Sequence, residues 1–219
     1  MQHKNVILFA VTLFCTGLTG LQAQTVKDID GNVYHIITIG TQVWMAENLK
    51  TTKYNDGTSI QLVTDSTAWK ALKTPAYSWY NNDIANKEIY GALYNWYTVK
   101  TNKLCPSGWH VPNDAEWTTL TTYLGDVNVS GGKLKETGIT HWKNPNTGAD
   151  NSSGFTALSG GYRFFNGTFF YSGYLGYWWC SDEYNANNAW FRNMGNSSSN
   201  VGRYDYNKNG GFSVRCLRY

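Results

Sequence analysis

Gly160-Gly161-Tyr162-Arg163-Phe164-Phe165-Asn166-Gly167-Thr168-Phe169-Phe170-Tyr171 is followed by Gly176-Tyr177-Trp178-Trp179-Cys180-Ser181, and the chain closes with Gly211-Phe212-Ser213-Val214-Arg215-Cys216-Leu217-Arg218-Tyr219. Aromatic runs broken by glycine favour pleated, half-buried strands. Asn166-Gly167 accepts the positive φ angles of a two-residue turn, which predicts a hairpin across residues 162–171. Further strands are expected over 177–181, 189–194, 201–206 and 212–218, separated by Gly/Asn/Ser loops.

Upstream of that half the signals are mixed. Residues 33–39 and 42–45 are β-branched and aromatic runs separated by Gly40-Thr41, predicting a hairpin or corner. Residues 66–73 carry Trp69 and Leu72 at helical spacing before Pro75, predicting a short helix. Residues 76–80 and 90–99 are aromatic-rich and read as strands or irregular packing segments. The strongest helix begins at Asn113, with Glu116 three residues on, Trp117, Leu120 and Leu124 on one face, and Gly125 as the stop. Residues 133–136 are a short polar strand candidate.

Residues 1–23 read as an export signal. Met1-Gln2-His3-Lys4 is weakly basic, residues 6–18 are mostly apolar, and Leu21-Gln22-Ala23 offers a small residue for cleavage, leaving Gln24 first. The run is shorter than the ~20 apolar residues a bilayer span needs, so no transmembrane segment is expected after cleavage. Cys15 raises lipoprotein anchoring as a rival, but Thr12-Leu13-Phe14 lacks the small residue that lipoprotein processing wants. Residues 24–219 are expected to form one domain, because no linker or charge block divides them. A formal net charge of +3 without a Lys/Arg cluster excludes a nucleic-acid footprint. With 15% charged and 16% aromatic residues, solubility rests on Asn, Ser, Thr and Tyr, as suits an extracellular or cell-surface protein.

Cleavage would leave Cys105, Cys180 and Cys216, which implies one bridge and one spare thiol. Cys105–Cys216 is the favoured bridge, and Cys180, in a β-like stretch, is the expected buried thiol. No metal spacing surrounds His35, His110 or His141, and no Gly-x-Ser-x-Gly elbow exists. Asp182-Glu183 cannot flank one glycosidic bond from a strand, where neighbours face opposite ways, and a loop is expected there.

Six ordered motifs carry a resemblance: residues 28–34, 39–49, 90–96, Cys105-Pro-Ser-Gly-Trp-His-Val-Pro112, 154–163 and 211–216. Together they resemble the Fibrobacter succinogenes major paralogous domain, a family of exported bacterial proteins, over essentially the whole chain after residue 23. The resemblance implies an irregular α+β fold of the C-type-lectin-like and formylglycine-generating-enzyme-like group, with twisted antiparallel strands, one or two short helices, many loops and neighbouring termini. The related enzymes use two cysteines close together, whereas Cys180 stands alone. Sugar-binding lectins of that group hold calcium through Pro-containing and Trp-Asn-Asp motifs; here only Asn144-Pro145-Asn146 and residues 79–83 approach them, in reversed order.

The expected function is non-catalytic recognition or adhesion of a polysaccharide or envelope partner. Candidate ligand-binding rings are Tyr171, Tyr174, Tyr177 and Trp178. No cofactor is required. Calcium is the one candidate ion, on oxygen donors from Asn144, Asn146, Asp150 and Asn151, with a single carboxylate among them. The alternatives are a structural surface protein without glycan binding, and a formylglycine-generating-enzyme-like oxidoreductase.

Overall fold

The structure, a computed structural model, describes residues 24–219, so the segment expected to be an export signal, with Cys15, lies outside the described residues. Strands β1 (Thr25–Lys27), β2 (Val33–Ile39) and β3 (Gln42–Met45) form an antiparallel meander. There follow β4 (Gln61–Leu62), helix α1 (Ser66–Lys70), β5 (Ala76–Ser78), α2 (Asn86–Tyr90), β6 (Leu93–Tyr94) and α3 (Trp96–Val99). Next come β7 (Trp109–His110), the longest helix α4 (Asp114–Tyr123) and α5 (Ser130–Leu134). The aromatic half supplies β8 (Gly160–Arg163), β9 (Phe169–Ser172), β10 (Leu175–Glu183), β11 (Asn188–Gly195) and β12 (Gly202–Asn207), and β13 (Leu217–Arg218) ends the chain.

These elements make a mostly-β architecture with short helices. One five-stranded sheet orders β1-β2-β3-β13-β7, so both ends of the described chain share it. The other orders β12-β11-β10-β8-β9, with β8 parallel to β10, and β4-β5-β6 form a small third sheet. Among the described residues no helix is long and apolar enough to cross a membrane.

Helix α4 follows its sequence signals. Asn113 caps the Glu116 amide at 2.8 Å while the Glu116 carboxylate accepts from the Asn113 amide at 2.8 Å, satisfying two free donors reciprocally. Trp117 and Leu120 are buried and pack with Trp178, Cys180 and Met194 on one face of the second sheet. Trp179, Phe191 and Tyr204 lie directly opposite one another across β10, β11 and β12, which puts them on the other face. That face packs with Phe212, Tyr94 and Trp96. The central strands are thus covered on both sides, and β10 is buried from Gly176 through Cys180.

Several local expectations change. Of the strand candidate over 133–136, Lys133 and Leu134 belong to α5 and Lys135 makes only an isolated bridge to Ala157; Gly131 and Gly132 allow the helix to press against Asn200 and Gly148, where a Cβ would collide. The hairpin turn is longer than two residues. The Gly167 amide donates to the Phe164 carbonyl, Gly167 takes φ +95°, and the strands pair from Arg163 and Phe169. That is the bulged three-residue loop, favoured because the Asn166 side chain accepts from the Thr168 amide. Of the strand expected over 212–218 only β13 forms a ladder, while Phe212 and Ser213 make isolated bridges to Tyr94 and Trp178. Asp182 and Glu183 end β10 rather than lying in a loop.

A loop-rich chain leaves many carbonyls without ladder partners, and each needs a donor. Buried cations serve, among them Arg163, Lys135 and Arg215. The Arg163 guanidinium donates to the carbonyls of Gly167, Val63 and Thr64 at 2.5–3.0 Å, between the rings of Trp69 and Phe169. The Lys135 ammonium donates to Thr147, Gly195 and Ser198 carbonyls at 2.7–3.0 Å. Arg215 donates to the Phe155 carbonyl and to Asn48 Oδ1. Burial pulls these groups down, Arg163 to about 10, Arg215 to about 9 and Lys135 to about 8.

Candidate functional site

The hairpin β8–β9, with β11 and β12, gathers the rings of the second sheet. Tyr162 is buried and acts as their hub, 4.7 Å from Tyr177, 5.9 Å from Tyr206 and 5.7 Å from Phe212. Its cross-strand partner Phe170 lies 6.1 Å away, and Tyr171 is also 6.1 Å away, nearly parallel at 17°.

Neighbours on a regular strand point to opposite faces, so Phe170 and Tyr171 should not both reach Tyr162. They do because Tyr171 takes φ +65°, in the left-handed region, opposite Gly161 at φ +64°. A Cβ at Gly161 would collide with the Phe170 carbonyl and the Ser172 amide, so the strand is kinked around a position only glycine fills. The kink swings the Tyr171 ring onto the side of the sheet where the others lie.

From this hub the rings run on without a break. Phe164 lies 5.8 Å from Phe170 and 4.2 Å from Phe165, Tyr206 stands 6.1 Å from Phe164, and Phe191 connects Tyr206 to Tyr204 at about 6 Å each. Phe165, Phe170, Tyr171 and Tyr204 are 38–56% exposed, whereas Tyr162, Tyr177 and Phe191 beneath them are buried. Burial raises the Tyr177 and Tyr206 hydroxyls well above the ordinary tyrosine range, so both stay protonated. The result is a stiff aromatic surface resting on a second tier of rings.

Of the four rings singled out in the sequence, Tyr171 and Tyr174 are about half exposed. Tyr177 supports the platform from below. Trp178 has no exposed surface; it points to the opposite face, donates its indole N–H to Asn48 Oδ1 at 2.8 Å, and cannot meet a ligand. Phe165, Phe170 and Tyr204 escaped the sequence reading. The Tyr204-x-Tyr206 alternation and the Phe-Phe pairs of the hairpin were the available signals.

The candidate calcium donors are committed locally except Asn146 Oδ1, which is buried and has no hydrogen-bond partner among the described residues. Asn146 Nδ2 donates to the Glu136 and Gly138 carbonyls, Asp150 Oδ1 accepts from the Ser152 amide, and Asn151 exchanges two hydrogen bonds with Thr156. The Asn144 carbonyl accepts from Asn196. The Lys135 ammonium sits against the same loop, at the Thr147 carbonyl, and supplies its positive charge from within the chain. Among the described residues no group of three or more His, Cys, Asp or Glu side chains converges as a metal site.

Cys105 and Cys216 are bonded, 111 residues apart in sequence, with Cα atoms 6.0 Å apart. Cys180 is a buried free thiol. Burial pushes it up to about 12, despite Arg192 Nη1 at 3.7 Å. Arg192 is engaged by Asp114 at 2.7 Å, and Asp114 also holds Arg203, which stacks on Trp190 at 3.7 Å. A neutral, enclosed sulfur is not a nucleophile. Asp182 accepts from the Asp114 amide while Glu183 pairs with Lys208, so the adjacent carboxylates serve different neighbours. His110 packs, stacked 4.3 Å from Tyr219 and paired with Glu116.

A family model described as the Fibrobacter succinogenes major domain matches residues 37–218. Neither the curated proteins nor the solved structures give a match.

Proposed function

We propose a function for a chain that belongs to the Fibrobacter succinogenes major domain family: an exported, non-catalytic recognition domain that takes polysaccharide on the aromatic platform around Tyr171. The observation that carries this reading is the positive φ of Tyr171, a conformation disfavoured for a bulky residue, which adds an exposed ring to a surface already built of rings. Exposed aromatic patches mark binding surfaces, and flat rings of this kind stack against the apolar faces of sugars. In the same reading the fold is C-type-lectin-like and formylglycine-generating-enzyme-like. The sharing of one sheet by β1 and β13, the irregular loops and the bridge to Cys216 support that assignment. Cleavage after Ala23 and display outside the cell belong to the proposal.

Affinity electrophoresis of residues 24–219 through a panel of gelled plant and bacterial polysaccharides tests it. At least one gel should retard the wild-type domain. The double variant Phe170→Ala/Tyr171→Ala should lose about ten-fold or more in affinity, while Tyr123→Ser, an exposed ring on α4, should bind as wild type. A wild-type domain that no gel retards would favour a structural surface protein and overturn the glycan reading.

A further inference from the structure

At the β9–β10 turn lies a polar cleft of about 240 Å³ lined by Tyr90, Thr140, His141, Lys143, Ser172 and Gly173. Its parts are held firmly. The Lys143 amide donates to the Gly173 carbonyl at 2.7 Å, the Gly173 amide donates to the Ser159 carbonyl at 2.8 Å, and the Ser159 hydroxyl donates to the His141 carbonyl. Glu136 fixes the imidazole through Nδ1, with both carboxylate oxygens at 2.9 Å, and Nε2 makes no hydrogen bond among the described residues. The Tyr90 ring meets the His141 ring edge-on at 5.9 Å, and its hydroxyl adjoins that of Ser172.

Lys143 is the charged member. A Cβ on Gly173, at φ +85°, would sit 3.2 Å from Lys143 Cγ, so the lysine stem runs along the turn. Lys143 has no ion-pair partner among the described residues, whereas Glu136 is engaged by His141. The cleft therefore offers one cation without an ion-pair partner together with the hydroxyls of Tyr90, Thr140 and Ser172 and an imidazole nitrogen, all able to hydrogen-bond a hydroxylated ligand. Tyr171 lies in β9 just before this turn and Tyr174 within the turn, both half exposed, so the cleft borders the platform along the chain.

We infer that this cleft is a sugar subsite for a uronate residue: Lys143 meets the carboxylate, while His141, Tyr90 and Ser172 meet ring hydroxyls. The inference rests on the reading of the domain as a glycan binder and narrows it to acidic polysaccharides.

Proton NMR of the His141 ring and the Ser172 amide, with galacturonate, galactose and acetate as probes, tests it on the whole 24–219 domain. Galacturonate should shift both signals in a saturable way. Galactose and acetate should each need at least ten-fold higher concentrations. Lys143→Gln should weaken the galacturonate response about five-fold or more with an unchanged His141 environment in the free protein, and His141→Gln should weaken the Ser172 response. The platform variant Phe170→Ala/Tyr171→Ala should keep the full response, which separates this site from the platform. Equal responses to acetate and galacturonate would show a carboxylate site for acidic peptides and overturn the sugar assignment. Absence of any saturable shift, in a domain that some gel still retards, would overturn the subsite and leave the platform standing.

Discussion

Tyr171 holds a backbone conformation that costs a residue with a bulky side chain on the order of 1–2 kcal/mol. Replacement by glycine removes both strain and ring. Tyr171→Gly is expected to melt within about 3 °C of the wild type, since strain relief offsets the loss of an exposed ring, while polysaccharide binding is lost. A melting curve beside an affinity gel reads both. Cys180 makes a second case. Its thiol is enclosed and held neutral, so Ellman's reagent should titrate no sulfur in the native 24–219 domain and one in denaturant. A thiol reactive without denaturant would return redox chemistry to consideration. Asp114 gives a pH dependence. Burial alone would raise its carboxyl, but hydrogen bonds from Arg203 and Arg192 hold it below the usual aspartate range. Its contribution to stability is therefore complete above the unfolded value of 3.8 and disappears as pH falls through the folded value. Between about pH 5 and pH 2.5 the melting temperature of Asp114→Asn should fall less steeply than that of the wild type.

At the scale of elements, sequence signals were legible wherever a local rule decided the outcome. Asn113 and Glu116 announced α4, and the runs before and after Gly40-Thr41 announced β2 and β3 with the bounds observed. Such signals failed where distant contacts decide. Lys133 and Leu134 joined a helix whose two glycines allow contact with segments 148 and 199–200, and no local pattern records those partners. Hidden for the same reason were the buried cations, which connect carbonyls up to 100 residues away. The Lys135 ammonium joins α5 to the loops at 147 and 195–198. In Lys135→Met three carbonyls lose their donor, and a cost of about 2–4 kcal/mol is expected in urea unfolding. Hydrogen exchange should quicken in those two loops before it does in β10 or β11. The platform was half legible: Tyr171 and its support Tyr177 could be named, but Trp178 could not be assigned to the buried face without knowing which way β10 lies.

At the scale of the whole, residues 24–219 form a loop-rich β structure whose two ends meet in one sheet, with Cys216, just before the last strand, tied to Cys105. Closing a segment of this length restricts the unfolded chain by about 4–5 kcal/mol in the chain-entropy model. Reduction of the bridge should therefore lower the melting temperature by about 10 °C or more. That stiffness suits a surface whose rings must stay in place before a ligand arrives, since pre-ordered groups lose little freedom on binding. The most direct test of recognition through the rings is hydroxyl-radical footprinting of the 24–219 domain with and without the polysaccharide that retards it. Protection is expected at Phe165, Phe170, Tyr171 and Tyr204, with none at Tyr123. Protection confined to other surfaces, with these four rings oxidised as in the free domain, would contradict the account.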